Sequence, residues 1–158
     1  MLLRLLALLL LSAGVVTAAG VPVTIVEDEK SFTLSNGSLI AQVNKTTGDL
    51  SSLKFNGLEM MGYVSGKHAG YWEQNPAKAT QLTAKVTIDP ASNGGARGEV
   101  SIEGISSGAT LDGGSQPGGG MLCDLEIRYT LGRDEPGLYT YAIFTHQPGL
   151  SHDSTLTP

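Results

Sequence analysis

Apolar and polar residues alternate with period two through most of this chain, and helical periodicity is nearly absent beyond residue 19. That pattern places successive side chains on opposite faces of a strand, so one face can be buried while the other stays wet. Met121–Leu131 shows it most clearly. Cys123, Leu125, Ile127, Tyr129 and Leu131 face one way; Asp124, Glu126, Arg128 and Thr130 face the other. A turn at Gly132–Gly137 leads into Leu138–His146, which predicts a long hairpin with one apolar and one polar face. Leu82–Asp89 and Gly98–Ile105 alternate in the same way, with Ser92–Gly95 as the turn between them. Upstream, Phe32–Leu34, Leu39–Asn44, Leu50–Phe55 and Leu58–Met61 read as short antiparallel strands. Asn36-Gly37 and Asn56-Gly57 mark tight turns, because a type I′ hairpin needs positive φ at both central residues. The expected class is all-β and antiparallel.

The first 19 residues stand outside that pattern. Arg4, a Leu-rich run and small residues ending Thr17-Ala18-Ala19 read as a secretory signal cut after Ala19. An uncleaved membrane anchor is the alternative, but the apolar run is short. Removing Arg4 with the signal takes the formal charge from −5 to −6. A mildly acidic, extracellular chain gives no support to a nucleic-acid partner, nor to a membrane partner once the signal is gone. Residues 20–150 fit one domain. Residues 151–158 lose alternation and read as a disordered tail.

Cys123 is the single cysteine, so the chain cannot close its own disulfide, and a cysteine metal site is excluded by count. The expectation is a buried thiol on a strand, with no metal site and no cofactor. Asn36-Gly37-Ser38 and Asn44-Lys45-Thr46 are glycosylation patterns, which makes Asn36 and Asn44 candidate glycan sites at strand ends. Ser106–Gly120 is Gly/Ser-rich but lacks the Lys-Ser/Thr and following helix of a phosphate loop, so it reads as a flexible connection.

Ser65–Asn75 carries the candidate binding site. It contains the only Trp, and His68, Tyr71, Trp72, Glu73 and Gln74 are the candidate substrate-binding residues. Sugar rings stack their C–H faces on aromatics while their hydroxyls need fixed donors and acceptors. The competing reading makes Trp72 a core anchor at a sheet edge, with Glu73 and Gln74 in water. The polar face with Asp124, Glu126 and Arg128 is where a secreted carbohydrate-active protein would bind a polymer; otherwise it is simply solvated. Ser151, His152 and Asp153 are adjacent and cannot form a triad. Glu73, Asp124 and Glu126 are candidates for a hydrolytic carboxylate pair, though no spacing singles one out.

Three stretches, in order, resemble a known family. They are Phe32–Ser38 through Gly48-Asp49-Leu50, Gly70-Tyr71-Trp72-Glu73-Gln74-Asn75, and Arg128-Tyr129-Thr130-Leu131 with Gly137-Leu138-Tyr139-Thr140-Tyr141. Together they are similar to the N-terminal region of fungal rhamnogalacturonan lyases of polysaccharide lyase family 4. The resemblance implies an antiparallel β-supersandwich of galactose mutarotase-like architecture, here truncated. It implies a secreted endolyase that cleaves the rhamnogalacturonan I backbone of pectin by β-elimination, with pectic polysaccharide as partner. A base, usually Lys in this family, takes the C5 proton of galacturonate, and a His protonates the leaving oxygen. Cationic side chains must first neutralise the carboxylate, a task some other lyases give to calcium. The family's Gly-Glu-x-Arg segment and its catalytic Lys and His follow the point where the likeness stops, near Leu150. No catalytic residue is therefore assigned, and the chain reads as a fragment lacking the chemistry. The alternative function is a non-catalytic secreted carbohydrate-binding β domain.

Overall fold

The computed structural model describes residues 20–64, 67–68, 81–106 and 123–148. It is all-β. The first sheet holds β1 (Thr24–Glu27), β2 (Ser31–Ser35), β3 (Leu39–Asn44), β4 (Leu50–Phe55) and β5 (Leu58–Glu59) as an antiparallel meander in chain order. A short ribbon follows, β6 (Tyr63–Val64) against β7 (Lys67–His68). The second sheet holds β8 (Gln81–Ile88), β9 (Arg97–Ile105), β10 (Asp124–Gly132) and β11 (Leu138–Thr145), again antiparallel neighbours in chain order.

One hydrophobic core joins the two sheets. Phe32, Leu34, Leu39, Ala41, Val43 and Leu50 form a single buried cluster with Val100, Ile102, Leu125, Ile127, Tyr129 and Leu131. Burying each such aliphatic side chain contributes roughly 1.5–3 kcal/mol, so this layer dominates folding. The inward set on β10 is the one the alternation predicts, apart from Cys123, which lies half-buried just before the strand. Burial and the neighbouring Asp124 carboxylate push the Cys123 thiol up, so it is a poor nucleophile.

Polar groups tie the sheets at two points. The Tyr129 hydroxyl donates to the Gly48 carbonyl at 2.6 Å. The Asn36 amide nitrogen donates to the carbonyls of Gly132 and Glu135 at 2.9 and 2.8 Å. Its oxygen accepts from the Leu39 amide at 2.9 Å and closes the β2–β3 loop. Asn36 is 3 % exposed. Its amide hydrogens are both engaged and the side chain is buried, whereas the triplet reading expected it at the surface.

The two Asn-Gly turns differ for the same reason. Asn56 and Gly57 both take positive φ, 48° and 82°, as the hairpin type requires. At 36–37 only Gly37 does, with φ 91°. The Asn36 side chain is fixed between the sheets, and a three-residue loop carries the reversal. Other local departures also have visible causes. The register shifts between Gln42 and Val43, and the Ser51 hydroxyl caps the Gln42 carbonyl there at 3.0 Å. That extra residue lets Leu50 and Leu53 both reach the core side. The expected strand Leu58–Met61 is only Leu58–Glu59, because the Glu59 carboxylate accepts from the Leu53 and Met61 amides at 2.9 and 3.1 Å. Between β8 and β9 a single 3-10 turn, Pro90–Asn93, is capped by Asp89 and closed by Gly94 at φ 65°.

Candidate functional site

The outward face of the second sheet carries a connected charged network. Strand register brings it together. Arg128 on β10 lies opposite Ser101 on β9 and Tyr141 on β11, and Thr130 lies opposite Glu99 and Tyr139. A shift in the β8–β9 register between Val86 and Ile88 places Thr87 beside Glu99. Side chains from four strands thus converge on one carboxylate.

Glu99 is 2 % exposed although it points away from the core. Its oxygens accept from Thr87 Oγ1 at 2.8 Å and Thr130 Oγ1 at 2.5 Å. Arg128 Nη1, Arg97 Nη2 and the Tyr141 hydroxyl each reach it at 3.3 Å. Beside it, Glu126 takes the fork of Arg128, with Nε at 2.9 Å and Nη2 at 3.2 Å, and also accepts from Ser101 Oγ at 2.5 Å. Burial pushes both carboxyls up. The hydroxyl hydrogen bonds on Glu99, and the Arg128 and Ser101 bonds on Glu126, outweigh it and hold both below the ordinary range. The Glu126 pairing leads in raising the already high Arg128 value.

These groups form a rigid polar floor, and aromatic rings flank it. Tyr139 and Tyr141 occupy alternate positions on β11, so both rings stand on the outward face, about 7 Å apart along the strand. They are 62 % and 40 % exposed. The Arg128 guanidinium lies 5.9 Å from the Tyr141 ring centroid. Asp124, at the far end, accepts from the Ser106 amide and from the Gln147 amide nitrogen.

This arrangement suits binding better than catalysis. A general base or acid near neutrality needs its pKa moved toward 7, whereas Glu99 and Glu126 are moved away from it and Arg128 stays charged. Paired-carboxylate hydrolysis needs one carboxyl kept protonated, which the Arg128 pairing opposes at Glu126. The simply solvated reading of Glu126 and Arg128 is corrected as well: they are interlocked and half-buried. Among the described residues, no group of three or more His, Cys, Asp or Glu is placed to hold a metal ion.

The loop residues singled out from sequence fall elsewhere. The His68 backbone pairs with Tyr63 in the β6–β7 ribbon. Tyr71, Trp72, Glu73 and Gln74 lie outside the described residues. Asn44 ends β3 with its side-chain oxygen accepting from Thr46 Oγ1 at 2.7 Å and the Thr46 amide at 2.8 Å, the third residue of its own glycosylation triplet. Tyr139, Tyr141 and Glu99 were missed as site residues. The available signal was two tyrosines at period two, facing Arg128 across a hairpin whose register the turn sets.

No family model, curated protein or solved structure matches the chain.

Proposed function

We propose that this chain is a carbohydrate-binding β-sandwich of a secreted, pectin-degrading protein of the rhamnogalacturonan lyase type. In this reading it holds the polysaccharide and does not cleave it. The finer architecture proposed is the galactose mutarotase-like supersandwich, of which the two antiparallel sheets are part. One observation carries the binding reading: two exposed tyrosines stand in line on a sheet face beside a hydrogen-bonded Arg–Glu floor. Rings give a sugar its stacking surface, and fixed carboxylate oxygens accept from its hydroxyls. The lowered Glu99 and Glu126 carboxyls suit neither of them to act as the base that β-elimination needs.

Native electrophoresis in gels cast with and without rhamnogalacturonan tests this. The wild-type chain is expected to be retarded by the polymer, and the Tyr139→Ala/Tyr141→Ala double variant to lose most of that retardation while melting near the wild-type temperature. No unsaturated product should form. Equal migration of a folded wild-type sample with and without polymer would remove the proposal. Trp72→Ala run alongside reports whether the Ser65–Asn75 loop contributes to the same binding.

A further inference from the structure

The outward face of the second sheet constrains which sugars it can take. Its central cation is already engaged. A guanidinium has five N–H donors in a planar fork, and a carboxylate ligand is gripped bidentately by that fork. In Arg128 the fork is filled by Glu126, at 2.9 and 3.2 Å, and Nη1 faces Glu99 at 3.3 Å and the Tyr141 hydroxyl at 3.5 Å. A ligand carboxylate would have to displace Glu126, leaving that residue's partly buried charge without its partner.

The other described cations on the face each meet one carboxylate and stay about half exposed. Lys85 lies 3.4 Å from Glu103, and Arg97 lies 3.3 Å from Glu99. The outward charged positions of β8–β11 comprise these three cations against four carboxylates, counting Asp124. Across the described residues, an extended polyanion therefore meets a slightly negative surface whose central cation is already filled. An uncharged ring meets what it needs: the Tyr139 and Tyr141 faces, and carboxylate oxygens that accept from sugar hydroxyls.

Resting on the carbohydrate-binding reading, we infer that this face selects uncharged sugar residues and turns uronate carboxylates away. Glu99 and Glu126 act as positioning residues that close the Arg128 fork. On a polymer with neutral and acidic units, the neutral ring sits over the tyrosines and the acid points to solvent.

Calorimetric titration with three probes at low and high salt tests the inference. They are rhamnogalacturonan, the same polymer with its galacturonate carboxyls reduced to alcohols, and polygalacturonate. Binding to the reduced polymer should equal or exceed binding to the native one. Polygalacturonate should bind at least about tenfold more weakly, and added salt should not weaken the first two. Glu126→Gln, which loosens the fork while keeping its shape, should raise polygalacturonate affinity and make it salt-sensitive. Loss of binding on carboxyl reduction, or tight salt-sensitive polygalacturonate binding by the wild type, would overturn the selectivity and leave the carbohydrate reading standing. Silence toward all three probes from a folded sample would overturn the carbohydrate reading and the selectivity with it.

Discussion

The two sheets share one construction rule and differ in what they place on their outer faces. Both bury alternate residues of their inner strands, β2 and β3 in one and β9 and β10 in the other, in the common core. On the first sheet the outer face is stitched by small dipoles: Gln42 donates to Ser31 Oγ at 3.2 Å, and Ser51 caps the Gln42 carbonyl. A shallow groove of about 540 Å³ lies there, lined by Asp28, Glu29, Lys30, Ser31, Gln42, Asn44 and Ser51. Its charges settle locally, with Asp28 held low chiefly by the Lys30 and Ser31 amides, and Lys45 2.7 Å from Glu27. On the second sheet, charges from distant strands are locked into one network and covered by their own neighbours. Alternation dictates the inner face and leaves the outer one free. A buried charge network on that free face incurs a desolvation cost with no return in core packing; under the proposed function, recognition is what offsets it.

The sharpest way to break the contrast is to remove the central cation. Arg128→Leu leaves Glu99 and Glu126 without their shared charge and should cost on the order of 3 kcal/mol in urea unfolding. The matched change on the first sheet, Gln42→Leu, loses neutral hydrogen bonds only and should cost about 1 kcal/mol or less. Similar losses from the two variants would erase the distinction between the faces.

A second set of variants separates stability from recognition. Replacing Arg128, Glu99 and Glu126 together by apolar residues of similar volume should recover most of the Arg128→Leu loss, since no charge is then left unpaired. Sugar binding should not return. If the triple variant still binds, the network is not the recognition floor.

Next come the ties between the sheets. Asn36→Ala deletes two donors at buried carbonyls and should cost about 1–3 kcal/mol, measured by denaturant midpoint. Tyr129→Phe loses the bond to Gly48 and should cost about 1 kcal/mol. A neutral Asn36→Ala would mean that apolar contact alone holds the sheets in place.

The gentlest probe is acid. Hydrogen bonds from Ser52 and from the Leu53 and Met61 amides hold the Glu59 carboxyl at about 2, against an ordinary 4.5. The unfolded chain binds the proton first, so this stabilisation is complete above about pH 4.5 and is lost as pH falls through 2. Glu99 and Glu126 shift in the same direction. Glu59→Gln should flatten part of the wild-type stability profile between those limits. An unchanged profile would place acid sensitivity on Asp28 and on the carboxylates of the second sheet.

Much of the fold was legible because alternation is a local signal. The inward residues of β10 and the Asn56-Gly57 turn follow directly from their own neighbourhoods. β1 was not legible: apart from Val23 just before it, the segment Thr24–Glu27 is mostly exposed and shows no buried face. The short β5 depends on a side chain, Glu59, taking over backbone pairing, which residue type alone does not announce. The network on the second sheet was hidden for a different reason. Glu99 and Arg128 stand 29 positions apart, and only strand register makes them partners. Read singly, each is an ordinary charged residue on a wet face.

Under the proposed function, the second sheet's outer face, and not the first's, meets the sugar. Amide chemical-shift mapping during titration with rhamnogalacturonan oligosaccharides addresses it directly. The expected result is a set of shifts along β9, β10 and β11, strongest near Arg128, Tyr139 and Tyr141, with the Ser31–Gln42–Ser51 face silent. Shifts confined to the first sheet, or a spectrum unchanged at saturating oligosaccharide, would contradict the account.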